Sequence, residues 1–141
     1  MLVRLIYASR AKAPITTETI NGILLAARKH NPDNGITGIL AYGNETFLQV
    51  LEGGRQQVNQ LYGQLIHDER HTDVTLLDLS EIDCRQYANW SMGRGKLDRV
   101  NLSLLLKYSA NPVFDPYSMS GKAVACLVQE LVASASFVTR D

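Results

Sequence analysis

Two side chains near the start of this chain combine a redox-active phenol with a two-faced amide. Tyr7 stands in Leu2-Val3-Arg4-Leu5-Ile6-Tyr7-Ala8-Ser9, and Gln49 in Phe47-Leu48-Gln49-Val50-Leu51-Glu52-Gly53. A tyrosine can release an electron and a proton together. A glutamine presents a donor and an acceptor from one side chain. Such a pair suits a site that reads the state of an aromatic ligand better than one that turns over a substrate. Singly, the neighbouring residues are ordinary. A tyrosine ending an apolar strand usually packs in a core. Asn31 before Pro32 suits a helix end, and Trp90 and Met92 suit a core. Gln49 is less ordinary, because an amide buried in Phe-Leu-Gln-Val-Leu is costly unless it is hydrogen-bonded.

These residues need elements to position them. Residues 2–8 are apolar and β-branched, as in a buried strand. Thr16 or Thr17 can cap a helix carrying Ile20, Ile23, Leu24 and Ala27, which ends near Asn31 because Pro32 restricts the residue before it. Strands are expected over 36–42 and 45–52, joined by a Gly43-Asn44 turn. A second helix follows with Val58, Leu61, Tyr62, Leu65 and Ile66 on one face. Residues 73–84 read as a fourth strand and 87–93 as a fifth. The order β-α-β-β-α-β-β is α+β, with a ferredoxin-like sheet and two helices on one face. Strands one and three are then central neighbours, and Tyr7 meets Gln49 beneath the helices if their faces coincide.

After Gly95 the composition changes. Residues 98–108 suggest a short helix, Pro112 and Pro116 a linker, and Ser118 or Ser120 the cap of a last helix bearing Val124, Leu127, Val128, Leu131 and Val132. Its apolar face is expected on the uncovered side of the sheet. The division is therefore 1–95 as a ligand-binding domain and 96–141 as a helical extension packing on the sheet.

The phrases resemble the BLUF family of flavin-binding blue-light sensors. The resemblance runs from about Leu2 to Gly95. It rests on Tyr7-x-Ser9, Asn31, Gly35-Ile36-Thr37-Gly38, Gln49-Val50-Leu51-Glu52-Gly53, Asp68-x-Arg70-His71 and Trp90-x-Met92-Gly93. It implies a non-covalent flavin between the two helices: FAD, with FMN or riboflavin as other candidates. Asn31 would bond the C4=O/N3 edge of the ring. Gln49 would stand between Tyr7 and the N5/O4 edge. Ile23, Leu24, Leu40 and Ile66 are expected walls. Arg28, Lys29, His30 and Arg70 are expected at the rim, with Asp68 bonding the ring or ordering Arg70. Tyr7, Ser9, Gln49 and Met92 complete the expected contacts. Light would draw an electron and a proton from Tyr7, and the Gln49 amide would end rotated or tautomerised, with a red-shifted spectrum. Trp90 and Met92 would compete for the place beside Gln49 and report to the C-terminal helices. The resemblance implies a short, stand-alone, non-enzymatic member that signals to an unidentified protein.

Composition narrows the alternatives. The 141 residues are 45% apolar and 20% charged, with 14 Lys+Arg against 14 Asp+Glu. Balanced charge gives no footprint for nucleic acid, and an RNA-binding sheet would want more aromatics on the third strand than Phe47. No apolar run reaches the ~18 residues of a membrane span. With no signal-peptide pattern and two well-separated cysteines, Cys84 and Cys126, a cytoplasmic setting is expected. A homodimer is expected to cover leftover apolar surface. His67 and His71 stand at i and i+4, but Asp68 occupies the glutamate position of the zinc-protease pattern and no third ligand is evident, so no metal is expected, and the two histidines are expected at the surface or the flavin rim. The remaining rivals share the fold. One is a colourless small-ligand regulatory domain. The other is an acylphosphatase-like enzyme, for which the loop Ser9-Arg10-Ala11-Lys12-Ala13-Pro14 lacks phosphate-cradling glycines.

Overall fold

In the computed structural model, which describes residues 1–97 and 100–134, a five-stranded sheet is covered on both faces. Its strands are β1 (Leu2–Ala11), β2 (Thr37–Gly43), β3 (Thr46–Gly54), β4 (His71–Ile82) and β5 (Gly93–Lys96). They lie in the order β4-β1-β3-β2-β5. β5 runs parallel to β2, and the other pairs are antiparallel. β1 and β3 are thus central, and both faces of each are buried. This explains why apolar residues stand at both odd and even positions of each, where a half-exposed strand would alternate.

Helices α1 (Thr17–His30) and α2 (Arg55–Leu65) cover one face. Ile20, Leu24 and Val58 pack there on Val3, Leu5, Tyr7, Leu40, Phe47 and Leu51. Thr16 caps α1, bonding the Thr19 amide while Thr19 returns a bond to the Thr16 backbone. Two orphan amides of the first turn are satisfied in this way. The opposite strand residues, Ile6, Ala8, Ile39, Ala41, Leu48 and Val50, form a second core with α3 (Leu102–Tyr108) and α4 (Gly121–Ala133) through Leu105, Val124, Leu127, Val128 and Leu131. Ser120 caps α4. The helix enters so close to β4 that a Cβ on Gly121 would lie 1.9 Å from the Leu77 carbonyl oxygen. Only a glycine permits that approach.

Several boundaries differ from the sequence reading, and β4, expected over 73–84, runs from His71 to Ile82. The β2–β3 turn is Asn44-Glu45, not Gly43-Asn44: Gly43 pairs with Thr46, and Asn44 and Glu45 have φ of 51° and 63°. Positive φ at both central positions makes this a two-residue hairpin turn that follows the strand twist. The fifth strand begins at Gly93 rather than Tyr87, so Trp90 and Met92 lie in the preceding loop. α3 starts at Leu102, because Asn101 caps it by accepting from the Ser103 and Leu104 amides. The expected start at Asp98 lies outside the described residues.

Candidate functional site

Tyr7 and Gln49 are register partners across the β1–β3 ladder, and both point to the α1/α2 face. The Tyr7 hydroxyl donates to Gln49 Oε1. The Gln49 amide nitrogen is turned toward Met92, 3.7 Å from Sδ. Both residues are almost fully buried, Tyr7 at 3% and Gln49 at 4% exposure. Burial pushes the Tyr7 hydroxyl far above its ordinary pKa, with the nearby Asp68 carboxylate and Tyr62 adding to the effect. Tyr7 is therefore a neutral phenol in the resting protein. Any electron it loses must be accompanied by its proton, and that proton's hydrogen-bond acceptor is the Gln49 oxygen.

The rim is built by the turn after α2. Asp68 takes the Arg70 guanidinium from Nε and Nη2, the latter at 2.6 Å, and also accepts from the Arg70 amide. These bonds hold the Asp68 carboxyl below the ordinary carboxylate range and raise Arg70. His71 is buried, a correction to the expectation that it lies at the surface or rim. Its Nε2 is 2.5 Å from the Leu65 carbonyl and its Nδ1 is 2.7 Å from Ser9 Oγ. A carbonyl can only accept, so Nε2 carries a proton and donates it to the Leu65 carbonyl, while Nδ1 pairs with the serine hydroxyl. With both nitrogens engaged and α2 ending at Leu65, the His67/His71 spacing does not form a ligand pair. Ser9 therefore serves the site by orienting His71, whose ring stands edge-on to Tyr7 and Phe47.

The loop before β5 separates the two residues that sequence reading set in competition. Two residues apart on a strand they would share a face; in the loop they do not. Met92 is fully buried beside Gln49, in the α1/α2 core. Trp90 packs into the opposite core and stacks on Tyr87 at 6.0 Å. Trp90 is thus corrected from the Gln49 side to the α3/α4 side. A Cβ on Gly93 would lie 2.4 Å from the Trp90 ring, so the glycine makes room for it. Three successive loop carbonyls are held: Trp90 by the Gly38 amide (3.0 Å), Ser91 by the Asn31 side chain (3.1 Å) and Met92 by Arg28 Nη2 (3.1 Å).

Between α1 and α2 lies a cleft of about 240 Å³, lined by Ile23, Ala27, His30, Asn31, Gln49, Leu61, Leu65, Asp68 and Arg70 among others. A smaller pocket of about 30 Å³ continues it inward to Tyr7, Leu40, Phe47 and His71. A larger cavity of about 720 Å³ sits at the other end of α2, but its rim charges, Arg55 and Glu81, are paired with each other and its walls are Val3, Leu5, Val58 and Leu79. Chemistry, not size, selects the Gln49 cleft. It joins an apolar slot to an amide, an asparagine and a guanidinium, and Arg28 Nε beside it is buried without a partner among the described residues. That donor set fits a flat heteroaromatic ring with one polar edge. Most expected residues converge here. Ile66 does not: it caps the end of α2 and is exposed, and Leu65 supplies the wall one position earlier. Leu24 packs behind the cleft in the core, and Lys29 is an exposed residue of the last turn of α1. Sequence reading missed Phe47, Leu61 and Leu65 as lining residues. The helical phase of Leu61 and Leu65 was the available signal.

Comparison with known proteins places this geometry. The family model described as BLUF, sensors of blue-light using FAD, matches residues 2–93. Photoactivated adenylate cyclase subunit beta of Euglena gracilis is 35% identical over 92 residues, which are 64% of this chain and 11% of that protein. The chain thus spans about a tenth of the length of the cyclases it matches. Among solved structures, the photo-activated state of BlsA superposes with a TM-score of 0.85 at 30% identity, covering 94% of this chain and 95% of that one. The dark-state structure of BlrB, a BLUF protein, gives 0.78 at 29% identity, with 95% and 96% covered.

Proposed function

The chain belongs to the BLUF family, the sensors of blue light using FAD, and from that premise we propose which residues perform the sensing. It is a blue-light photoreceptor that binds a flavin. When bound, a flavin supplies absorption of blue light and, once excited, a strong one-electron oxidant. The rest is chemistry of this chain. Asn31, Gln49 and Arg28 hold the polar edge of the ring, Ile23, Leu61 and Leu65 its faces, and Arg70, ordered by Asp68, closes the mouth. The cleft is below the roughly 300–1,000 Å³ of typical ligand pockets. It suits the ring system, with His30 at its rim and Lys29 outside it for the phosphates.

Tyr7 is the electron donor. Its hydroxyl proton passes to the Gln49 amide as the phenol is oxidised, and returns when the electron does. The amide is left rotated or tautomerised, its donor and acceptor exchanged. One rearranged hydrogen bond is worth on the order of 1–3 kcal/mol, enough to shift a two-state population several-fold to a hundredfold. Met92, 3.7 Å from the amide nitrogen, is the first group to feel the exchange. Trp90, two residues away in the opposite core, passes it to α3 and α4. In this reading residues 1–95 are the sensor and 96–141 its reporting cap. The output goes to a partner protein, the chain itself catalyses no reaction, and the expected setting is the cytoplasm. Among the described residues no helix is long and apolar enough to cross a membrane. Exposed Leu76 and Leu79 on edge strand β4 support a homodimer.

The observation that carries this reading is the buried Tyr7–Gln49–Met92 chain of contacts opening on the cleft. The test is spectroscopic. Purified protein should be yellow, acid extraction should release FAD, FMN or riboflavin, and blue light should shift the visible band reversibly to the red. Colourless protein that takes up none of these flavins would refute it.

A further inference from the structure

On the outer face of β3, three residues from Gln49 and pointing away from it, Glu52 is completely buried. A carboxylate taken out of water is stable only if its oxygens are filled by donors, and these are. Oε2 accepts from Arg4 Nε (2.9 Å), Arg4 Nη2 (2.7 Å) and the Gln86 amide (3.1 Å). Oε1 accepts from the Tyr87 amide at 2.8 Å. Two of the four donors come from the sheet, through Arg4, the ladder partner of Glu52 on β1. The other two are backbone groups of the loop that leads to Trp90 and Met92. Arg85 adds a second fastening, donating to Thr37 Oγ1 at 3.1 Å and to the Glu52 carbonyl at 3.4 Å.

The downstream end of that loop is held differently. Its carbonyls at Ser91 and Met92 are bonded by Asn31, which lines the cleft, and by Arg28 in the last turn of α1. Between the two ends, the Trp90 amide donates to the Tyr87 carbonyl at 3.1 Å. The segment from Arg85 to Met92 is therefore clamped at one end by a buried charge on the strand that carries Gln49, and at the other by two side chains at the end of α1.

We infer that Glu52 is a positioning residue for the photoreceptor. Its Arg4-held carboxylate grips the backbone at Gln86 and Tyr87 and sets how firmly Met92 sits against Gln49. This rests on the sensing role proposed above. A firm upstream grip means that a change at Gln49 displaces Met92 against a fixed anchor, so the loop stores the change and returns slowly. A loosened grip lets the loop follow and relax.

The experiment compares the flavin-loaded full chain with Glu52→Gln, Met92→Ala and the double variant. The substitution keeps the side chain's shape but turns one oxygen into an N–H donor, which opposes the N–H groups already aimed at it. Two readouts are taken. In the dark, amide hydrogen exchange over 86–92 should speed up in Glu52→Gln by about tenfold, the loss of one charge-assisted bond, with the β1–β3 ladder unchanged. After blue light, recovery of the dark spectrum should accelerate by a similar factor. In the Met92→Ala background Glu52→Gln should change recovery by less than about twofold, within the additivity limit for uncoupled sites. Unchanged exchange in a folded Glu52→Gln protein overturns the grip. An equal acceleration with and without Met92 overturns the positioning role. Should Glu52→Gln not fold, Arg85→Met, which removes only the second fastening, must quicken exchange over 86–92 and recovery in the same direction, and a null result there overturns the proposal. If wild type shows no red shift, the sensing role fails and with it the positioning role; faster exchange in Glu52→Gln would then establish a structural grip alone.

Discussion

Tyr7 and Gln49 face one another as direct partners across the β1–β3 ladder, and the phenol donates its proton to the amide oxygen on the side covered by α1 and α2. The fold places a removable electron beside an invertible hydrogen-bonding group, with no water between them.

Replacing Gln49 by leucine removes the invertible group while keeping the bulk. The Tyr7 hydroxyl then loses its acceptor in a buried site, at a cost of about 1–3 kcal/mol. Urea melts should show that loss. The flavin should stay bound, because Asn31 and the apolar walls Ile23, Leu61 and Leu65 remain, but the light-minus-dark spectrum should be flat.

Alkaline titration tests the burial of Tyr7. Its pKa is raised by folding, so the native state holds a proton that the unfolded chain gives up near the ordinary value of about 10. The stability this confers is complete below about pH 10 and declines as pH rises above it. The difference in phenolate absorbance between wild type and Tyr7→Phe should stay at zero until the protein unfolds. A difference band growing near pH 10 in folded protein would contradict the burial.

Much of this was legible because each feature had a local cause. A capping threonine and Pro32 bracket α1. β1 and β3 carry apolar residues at successive positions because both faces of these strands are buried. Gln49 stood out because an amide in such a run needs a partner. Other features had no local cause. Nothing in Trp90-Ser91-Met92 tells a strand from a loop, and that choice decides whether the two side chains share a face. Ile66 and Leu65 differ only in phase at a helix end. The burial of Glu52 depends on Arg4 and on two loop amides more than thirty residues away, a relation no short phrase encodes. His71 looked like a surface histidine until Ser9 and the Leu65 carbonyl enclosed it.

The Asp68–Arg70 pair should make flavin retention acid-sensitive. Bonding to Arg70 holds the Asp68 carboxyl below its ordinary pKa. The pairing is therefore complete above about pH 4 and is lost as pH falls through the lowered value. Flavin fluorescence, quenched in the cleft, should appear on acidification. Asp68→Asn should retain flavin more weakly at neutral pH and lack the pairing-dependent part of that acid step.

Gly121→Ala tests the seat of the C-terminal cap. The added methyl would meet the Leu77 carbonyl at 1.9 Å, so α4 must lift from β4. Overpacking of this kind costs about 1–3 kcal/mol. A thermal melt should show a lower midpoint while the flavin remains bound, because the clash lies on the face of the sheet away from the cleft.

The most direct test of the account is the light-minus-dark spectrum of Tyr7→Phe. The phenyl ring fills the same space and leaves the cleft intact, so the protein should be yellow, with the flavin content of wild type. With no phenolic proton to pass to Gln49, blue light should leave its visible band where it was. A reversible red shift of wild-type size in Tyr7→Phe would contradict the central claim that this tyrosine drives the switch.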